Sequence, residues 1–186
     1  MSEPKRVLVP LAEGFEEIEA TAILDVLRRA GVEVVLAGLR PGPTTGSHGI
    51  TLVPDVSLDD VDPLDFDMLV LPGGMPGTTH LMEDERVLAA VRALHGRGRT
   101  TAAVCAAPMV LARAGILGGV EVTAHPSVRA KLADAEVRDT PRVIRCGTVV
   151  TSQGPGTAIE FALELVRELA DGAEAERLAE AMLVHA

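Results

Sequence analysis

One cysteine stands where a chain would place a nucleophile. Thr100-Thr101-Ala102-Ala103-Val104 reads as a buried strand, and Cys105 ends it abruptly. A helix follows at once, with Pro108 in its first turn, where a missing N–H costs nothing. A side chain on such a corner stands clear of the sheet, above backbone N–H groups and the positive end of the helix dipole. The strand and helix backbones nearly collide there, so the positions two before and two after must be small; they are Ala103 and Ala107. This setting predicts a reactive thiol with a lowered pKa. The ordinary use of a lone cysteine is as a small core hydrophobe. The corner and its alanines argue for the chemical use instead.

Three further groups could meet that sulfur. Glu13, Glu16, Glu17 and Glu19 lie where a first strand hands over to a first helix. Acidic residues suit a helix start for dipole reasons alone, but a carboxyl buried beside Cys105 would have a raised pKa and could move a proton. Gly73-Gly74 follows another strand. It reads as an ordinary glycine turn or as bare backbone whose Gly74 N–H joins that of Ala106 in an oxyanion hole. His125, ahead of Pro126, ends a later strand; it is either a partly exposed strand-end residue or a base for the thiol. His95 sits in a last helical turn, His48 and His80 in loops, and His185 in the tail. No His-Glu-x-x-His, Cys-x-x-Cys or helically spaced histidine pair supports a metal site.

The elements that must position these groups follow from periodicity. Arg6–Leu11 is a continuous apolar run, as in a strand covered on both faces. A helix is predicted from Glu16 to Ala30, capped by Gly31, then a buried strand at Val34–Leu39. This start implies a parallel sheet. Arg40–Gly49 reads as a surface loop, Ile50–Val53 as a short strand and Leu58–Pro63 as an acidic connector. Asp67–Leu71 is another buried strand, and a helix carries Val87, Val91 and Leu94 to about Gly96. After the elbow helix, which ends near Gly115, come a strand at Val120–Ala124 and a short helix from Ser127 to Leu132. Val143–Cys146 and Thr148–Thr151 form a hairpin. Thr157 and Glu160 have the spacing of a capping box for a helix to Ala170, and a last helix spans Ala173–Val184. The pattern is a single domain over 1–186, a three-layer αβα sandwich around a mostly parallel sheet. Ligands of such sheets bind beyond the carboxyl ends of the strands, where Cys105, Glu13–Glu19, Gly73-Gly74 and His125 all fall.

Composition narrows the function. The 186 residues are 47% hydrophobic but only 2% aromatic, with three Phe, no Trp and no Tyr. A stacking platform for bases is therefore missing. A net charge of −10 repels phosphate backbones and anionic membranes. No apolar run approaches the roughly 18 residues that span a bilayer. Two cysteines, Cys105 and Cys146, make no disulfide framework, and no secretory segment is expected ahead of the first strand. The expectation is a soluble cytoplasmic protein with no nucleic-acid or membrane partner.

Several segments together resemble the ThiJ/PfpI superfamily, in the branch of the parkinsonism-associated protein deglycase. They are Glu16-Glu17-Ile18-Glu19, Asp25–Gly31, Val53-Pro54-Asp55, Val70–Gly74, Ala103-Val104-Cys105-Ala106, Thr123–Pro126 and Thr151–Thr157. The resemblance covers the chain from about Arg6 to Val184. It implies a flavodoxin-like fold and a homodimer with Ile18 at its interface. It makes Cys105 the reactive cysteine and Glu19 its protonated partner, with His125 nearby. It gives Gly73, Gly74, Ala106 and Pro155, the last from the partner subunit, to the pocket. The implied activity is handling of dicarbonyls such as methylglyoxal, or of their adducts, with no cofactor and no metal. The alternative it implies is an oxidative-stress sensor or redox-switched chaperone acting through Cys105.

The departures carry information. Met75 stands where the best-known member has asparagine. A basic residue at the pocket mouth is replaced by His48, leaving Arg29 as the candidate for a substrate charge. Peripheral cysteines of that relative are Gly46 and Val53 here. Ala106 follows the nucleophile where the protease-like branch has histidine. His125 is followed by Pro126 and Ser127, not by the His-x-Glu of glutamine amidotransferases.

Overall fold

The computed structural model describes residues 4–184, so His185 lies outside the described residues. The strands are β1 (Arg6–Leu11), β2 (Glu33–Gly38), β3 (Thr44–Thr45), β4 (Thr51–Leu52), β5 (Val56–Ser57), β6 (Met68–Leu71), β7 (Thr100–Val104), β8 (Glu121–Val122), β9 (Glu136–Val137), β10 (Val143–Cys146) and β11 (Val149–Ser152). The helices are α1 (Glu17–Arg29), α2 (Gly77–Glu83), α3 (Glu85–Gly96), α4 (Pro108–Arg113), α5 (Ala158–Leu169) and α6 (Gly172–Ala181). Seven strands form one sheet in the order β10-β11-β7-β6-β1-β2-β5. All neighbours are parallel except the hairpin β10-β11.

The middle strands read as unbroken apolar runs because both faces are covered. In β1 alternate residues serve opposite layers. Val7, Val9 and Leu11 pack with Ile23 and Leu27 of α1 and Phe161 and Leu165 of α5. Leu8 packs with Leu81, Val91 and Leu94 of α2 and α3 and Val110 of α4. This is the expected three-layer sandwich. With so few aromatics the core is aliphatic, and Phe15, Phe66 and Phe161 are all buried. Among the described residues no helix is long and apolar enough to cross a membrane.

The structure corrects several local expectations. The strand read at Val120–Ala124 is only β8, which pairs with β9 outside the main sheet. His125 therefore does not end a core strand. The apolar stripe of Val87, Val91 and Leu94 belongs to α3, and a separate α2 precedes it. Asp84 divides the two, its carboxylate accepting the Arg86 N–H at 2.9 Å. The surface loop hides β3, which pairs with β4, and β5 lies just ahead of the acidic connector as an edge strand. The capping box at Thr157 does not form. Thr157 Oγ1 turns back instead, taking the Gly154 N–H at 3.1 Å and donating to the Gly154 carbonyl.

Candidate active site

Cys105 sits directly after β7 with φ of +62°. An L-residue there is strained by about 1–2 kcal/mol, and the surroundings must hold it. The backbone does so on both sides. The Cys105 N–H donates to the Ser152 carbonyl at 3.0 Å, and its carbonyl accepts from His125 N–H at 2.9 Å. Pro108 opens α4 immediately beyond. The thiol is half-buried, and the backbone N–H groups of Ala106 and Gly74 face the sulfur.

Gly73 and Gly74 are glycines for steric reasons. A Cβ on Gly73 would stand 2.8 Å from Cys105 Cβ and 2.8 Å from Glu19 Oε2. Gly74 has φ of +93°, and a Cβ there would meet the Glu16 nitrogen at 2.3 Å. The loop after β6 thus lies against both the elbow and the start of α1. Its bonds run both ways: Gly73 N–H donates to Glu19 Oε2 at 2.8 Å, and the Gly73 carbonyl accepts the Glu16 N–H at 2.9 Å.

Glu19 is fully buried beside the thiol. Among the described residues its buried Oε1 has no hydrogen-bond partner. Burial pushes its carboxyl from 4.5 up to about 7, and the Glu16 charge adds to the rise; the Gly73 N–H and the thiol pull the other way. Burial, then the Glu19 charge, pushes the Cys105 thiol up to about 12 against the Ala106 and Gly74 N–H groups. The lowered thiol pKa expected from the elbow is therefore corrected. Lost water and a neighbouring carboxylate outweigh two N–H donors and a short helix. The two groups titrate as a unit. A proton on Glu19 removes the repulsion and turns the carboxyl into a donor toward sulfur.

His125 is exposed at the rim and caps a 3-10 turn, Pro126–Lys131. Its Nδ1 lies 2.7 Å from Ser127 Oγ and accepts the Ser127 N–H at 3.3 Å. Among the described residues no hydrogen bond joins its ring to Cys105. The two are neighbours across Gly154, where an added Cβ would lie 3.6 Å from His125 Cδ2 and 4.0 Å from the sulfur. Pro155, half-buried, follows Gly154 directly. Arg29 is corrected for this chain: it closes the far end of α1, ten residues and about 15 Å from Glu19, and pairs with Asp25 at 2.6 Å.

Sequence reasoning missed the role of Glu17. Buried, it receives the His48 N–H at 2.6 Å, His48 Nδ1 at 3.0 Å and the Ile50 N–H at 3.3 Å. Burial alone would raise its carboxyl; the His48 and Ile50 bonds overcome that and hold it at about 2. The Glu17 bond in turn raises the exposed His48. Ligand atoms of Glu16, Glu17 and His48 lie within 4.8 Å of one another, as in a cation site. Glu17 already spends its oxygens on the loop between β3 and β4. The one sequence signal was Gly46, where a Cβ would strike Glu17 at 2.4 Å.

The fold and the elbow agree with the family comparison. The chain belongs to the DJ-1/PfpI family, whose model matches residues 5–168. It is 41% identical over 182 residues to Protein dj-1beta of Drosophila melanogaster, covering 97% of each chain. The crystal structure of that Drosophila protein superposes with a TM-score of 0.95 at 40% identity, covering 99% of this chain and 100% of that one. The glutathione-independent glyoxalase DJR-1.2 of Caenorhabditis elegans is 37% identical over 171 residues, 91% of each chain. Deglycase TK1284 of Thermococcus kodakarensis is 36% identical over 167 residues, 88% of this chain and 99% of that one.

Proposed function

We propose that this protein converts small dicarbonyls such as methylglyoxal, or their adducts, to hydroxy acids through Cys105. The observation that carries the reading is the buried Glu19 carboxyl, raised to about 7, against a sulfur faced by two N–H groups. Two relatives named for glyoxalase and deglycase activity support it. The sulfur adds to the aldehyde carbon, and its proton passes through Glu19 to the new hydroxyl. The N–H groups of Gly74 and Ala106 are placed to receive negative charge as it leaves sulfur for oxygen. Glu19 then takes the proton from C1 and returns one to C2 while the C1 hydroxyl proton passes to the C2 oxygen, turning the hemithioacetal into a lactoyl thioester. Water cleaves the thioester, giving lactate and restoring the thiol. No step consumes a cofactor. His125 borders the approach, and in a homodimer Pro155 of the partner subunit lines the pocket.

Purified protein should turn methylglyoxal into lactate without glutathione. Cys105→Ser and Glu19→Ala should each lower kcat/KM by roughly 10²-fold or more. Full turnover by Cys105→Ser would overturn the reading. The unpartnered Glu19 Oε1 favours a second role, because a protonated carboxyl can hold an oxygen of an oxidised sulfur. Intact mass after graded peroxide separates the two: two oxygens gained at Cys105 with negligible dicarbonyl turnover would favour the sensor.

A further inference from the structure

His125 opens the 3-10 turn Pro126–Lys131 and caps it with its own ring. A capping side chain must accept an N–H. Asp, Asn and Ser do so with oxygen, but histidine can do so only through an unprotonated ring nitrogen. Here Nδ1 accepts the Ser127 N–H at 3.3 Å, and Ser127 Oγ lies 2.7 Å from the same nitrogen. A backbone N–H only donates, so Nδ1 carries no proton. The hydroxyl, free to rotate, then donates to it as well. The one proton of the neutral ring is therefore on Nε2, which has no partner among the described residues.

The ring is held in place beside the sulfur. The His125 N–H donates to the Cys105 carbonyl at 2.9 Å, and the His125 carbonyl accepts the Val128 N–H at 3.0 Å. Pro126 favours the extended backbone of His125, φ −58° and ψ 135°. Arg129 Nε steadies the turn by donating to the Ala124 carbonyl at 2.9 Å. The edge turned toward the sulfur is fixed too. The point where a Gly154 Cβ would stand is 4.0 Å from Cys105 Sγ and 3.6 Å from His125 Cδ2, and no other ring atom comes within 4 Å of it. Cδ2 is bonded to Nε2, whereas Nδ1 lies across the ring, tied to Ser127. The free N–H is thus on the side of the ring that borders the sulfur.

We propose that Ser127 is a positioning residue that makes His125 a hydrogen-bond donor, not a base, at the mouth of the Cys105 site, where Nε2–H donates to the ketone oxygen of a bound α-oxoaldehyde. The identity of that oxygen rests on the dicarbonyl reading; the tautomer does not. A donor aimed before binding loses less freedom when it is engaged. Proton transfers are then left to Glu19, and His125 serves to hold the substrate.

Long-range proton–nitrogen NMR correlation on protein with isotope-labelled histidine reads the tautomer. With His125 neutral, the wild type should show Nδ1 bare and Nε2 protonated. Ser127→Ala removes one of the two donors to Nδ1 and should move both nitrogen signals toward those of free imidazole. It should raise KM for methylglyoxal roughly 3–10-fold with kcat held within about twofold. Ser127→Thr keeps the hydroxyl and should restore both the signals and KM. Ser127 is exposed, so these variants keep the fold, as circular dichroism would verify. His125→Phe should raise KM further than Ser127→Ala, without the loss of kcat by roughly 10²-fold that removing a base would bring. A wild type with the proton on Nδ1, unchanged nitrogen signals or unchanged KM in Ser127→Ala, or a kcat loss of that size in His125→Phe would each overturn the proposal. The assigned tautomer, lost in Ser127→Ala and restored in Ser127→Thr, in a protein that turns over no dicarbonyl would uphold the positioning role and overturn the dicarbonyl reading instead.

Discussion

Cys105 is held in a backbone conformation that costs stability, and Glu19 in an environment that costs it charge. Both costs are measurable. At φ of +62° only glycine is free of strain. Replacing Cys105 by alanine keeps the strain; replacing it by glycine removes it at the cost of unfolded-state entropy. Cys105→Gly should therefore be more stable than Cys105→Ala by about 1 kcal/mol, the reverse of the usual order. Urea unfolding of the two variants checks this. For Glu19 the folded pKa, about 7, lies above the ordinary 4.5. Its protonated form is favoured by folding, so its contribution is fully present below pH 4.5 and is lost as pH rises through 7. Glu19→Gln carries no such dependence. Its stability relative to wild type should improve by about 2 kcal/mol between pH 5 and pH 8. A flat difference across that range would show that Glu19 is ionised without penalty.

At the scale of elements, the first turn of α1 organises the site. Successive helix residues point 100° apart, so one turn sends its side chains in different directions. Glu16 caps the helix, its Oε2 accepting the Glu19 N–H at 2.7 Å. Glu17 holds the loop between β3 and β4, Ile18 faces outward, and Glu19 reaches the sulfur. Glu17 and Glu19 are both buried, yet their carboxyls shift in opposite directions. The difference is the number of donors each meets: several N–H groups and a histidine against one N–H and a thiol. The Glu17 carboxylate is depressed to about 2, so its stabilisation is present above pH 4.5 and lost as pH falls toward 2. Glu17→Gln removes it at every pH. Amide exchange at Gly46, His48 and Ile50 should speed up roughly 10-fold or more in that variant at pH 7, with α5 and β7 unchanged. Unchanged exchange in the loop would show that other contacts hold it.

At the scale of the molecule, three of the exposed apolar residues bear on association. Ile18 is 58% exposed, Ile50 56% and Val53 71%. Ile18 and Ile159 also border one shallow groove along α1 and α5. Glu17 accepts the Ile50 N–H, which ties Ile50 to the turn that carries Ile18. We propose that Ile18 and Ile50 lie in an interaction face, the use that contiguous exposed apolar side chains commonly have. The homodimer implied by the family resemblance would cover it and bring a second chain to the mouth of the Cys105 site. Ile18→Glu places a charge in that face and should shift sedimentation from dimer to monomer at micromolar concentration, weakening association by roughly 10²-fold. A wild type that sediments as a monomer would refute the dimer.

The sequence by itself determined the layers and the elbow. Both are written in local signals: apolar runs of strand length, a 3.6-residue stripe on α1 and α3, and a cysteine between small residues ahead of a proline. These signals act within a few residues of the chain, so they can be read without knowing what lies across the fold. The family motifs added Glu19 as the partner of Cys105, which spacing alone did not choose over its neighbours. Only the tertiary structure decided how those residues are used. It put Arg29 at the wrong end of α1 for the sulfur and took His125 off the main sheet. It made Glu17 the anchor of a loop that sequence placed only on the surface. It also reversed the expected shift of the thiol. A pKa depends on burial and on charges brought in from elsewhere in the chain, here Glu19 86 positions before Cys105. The corner could be read locally, but the carboxylate facing it could not.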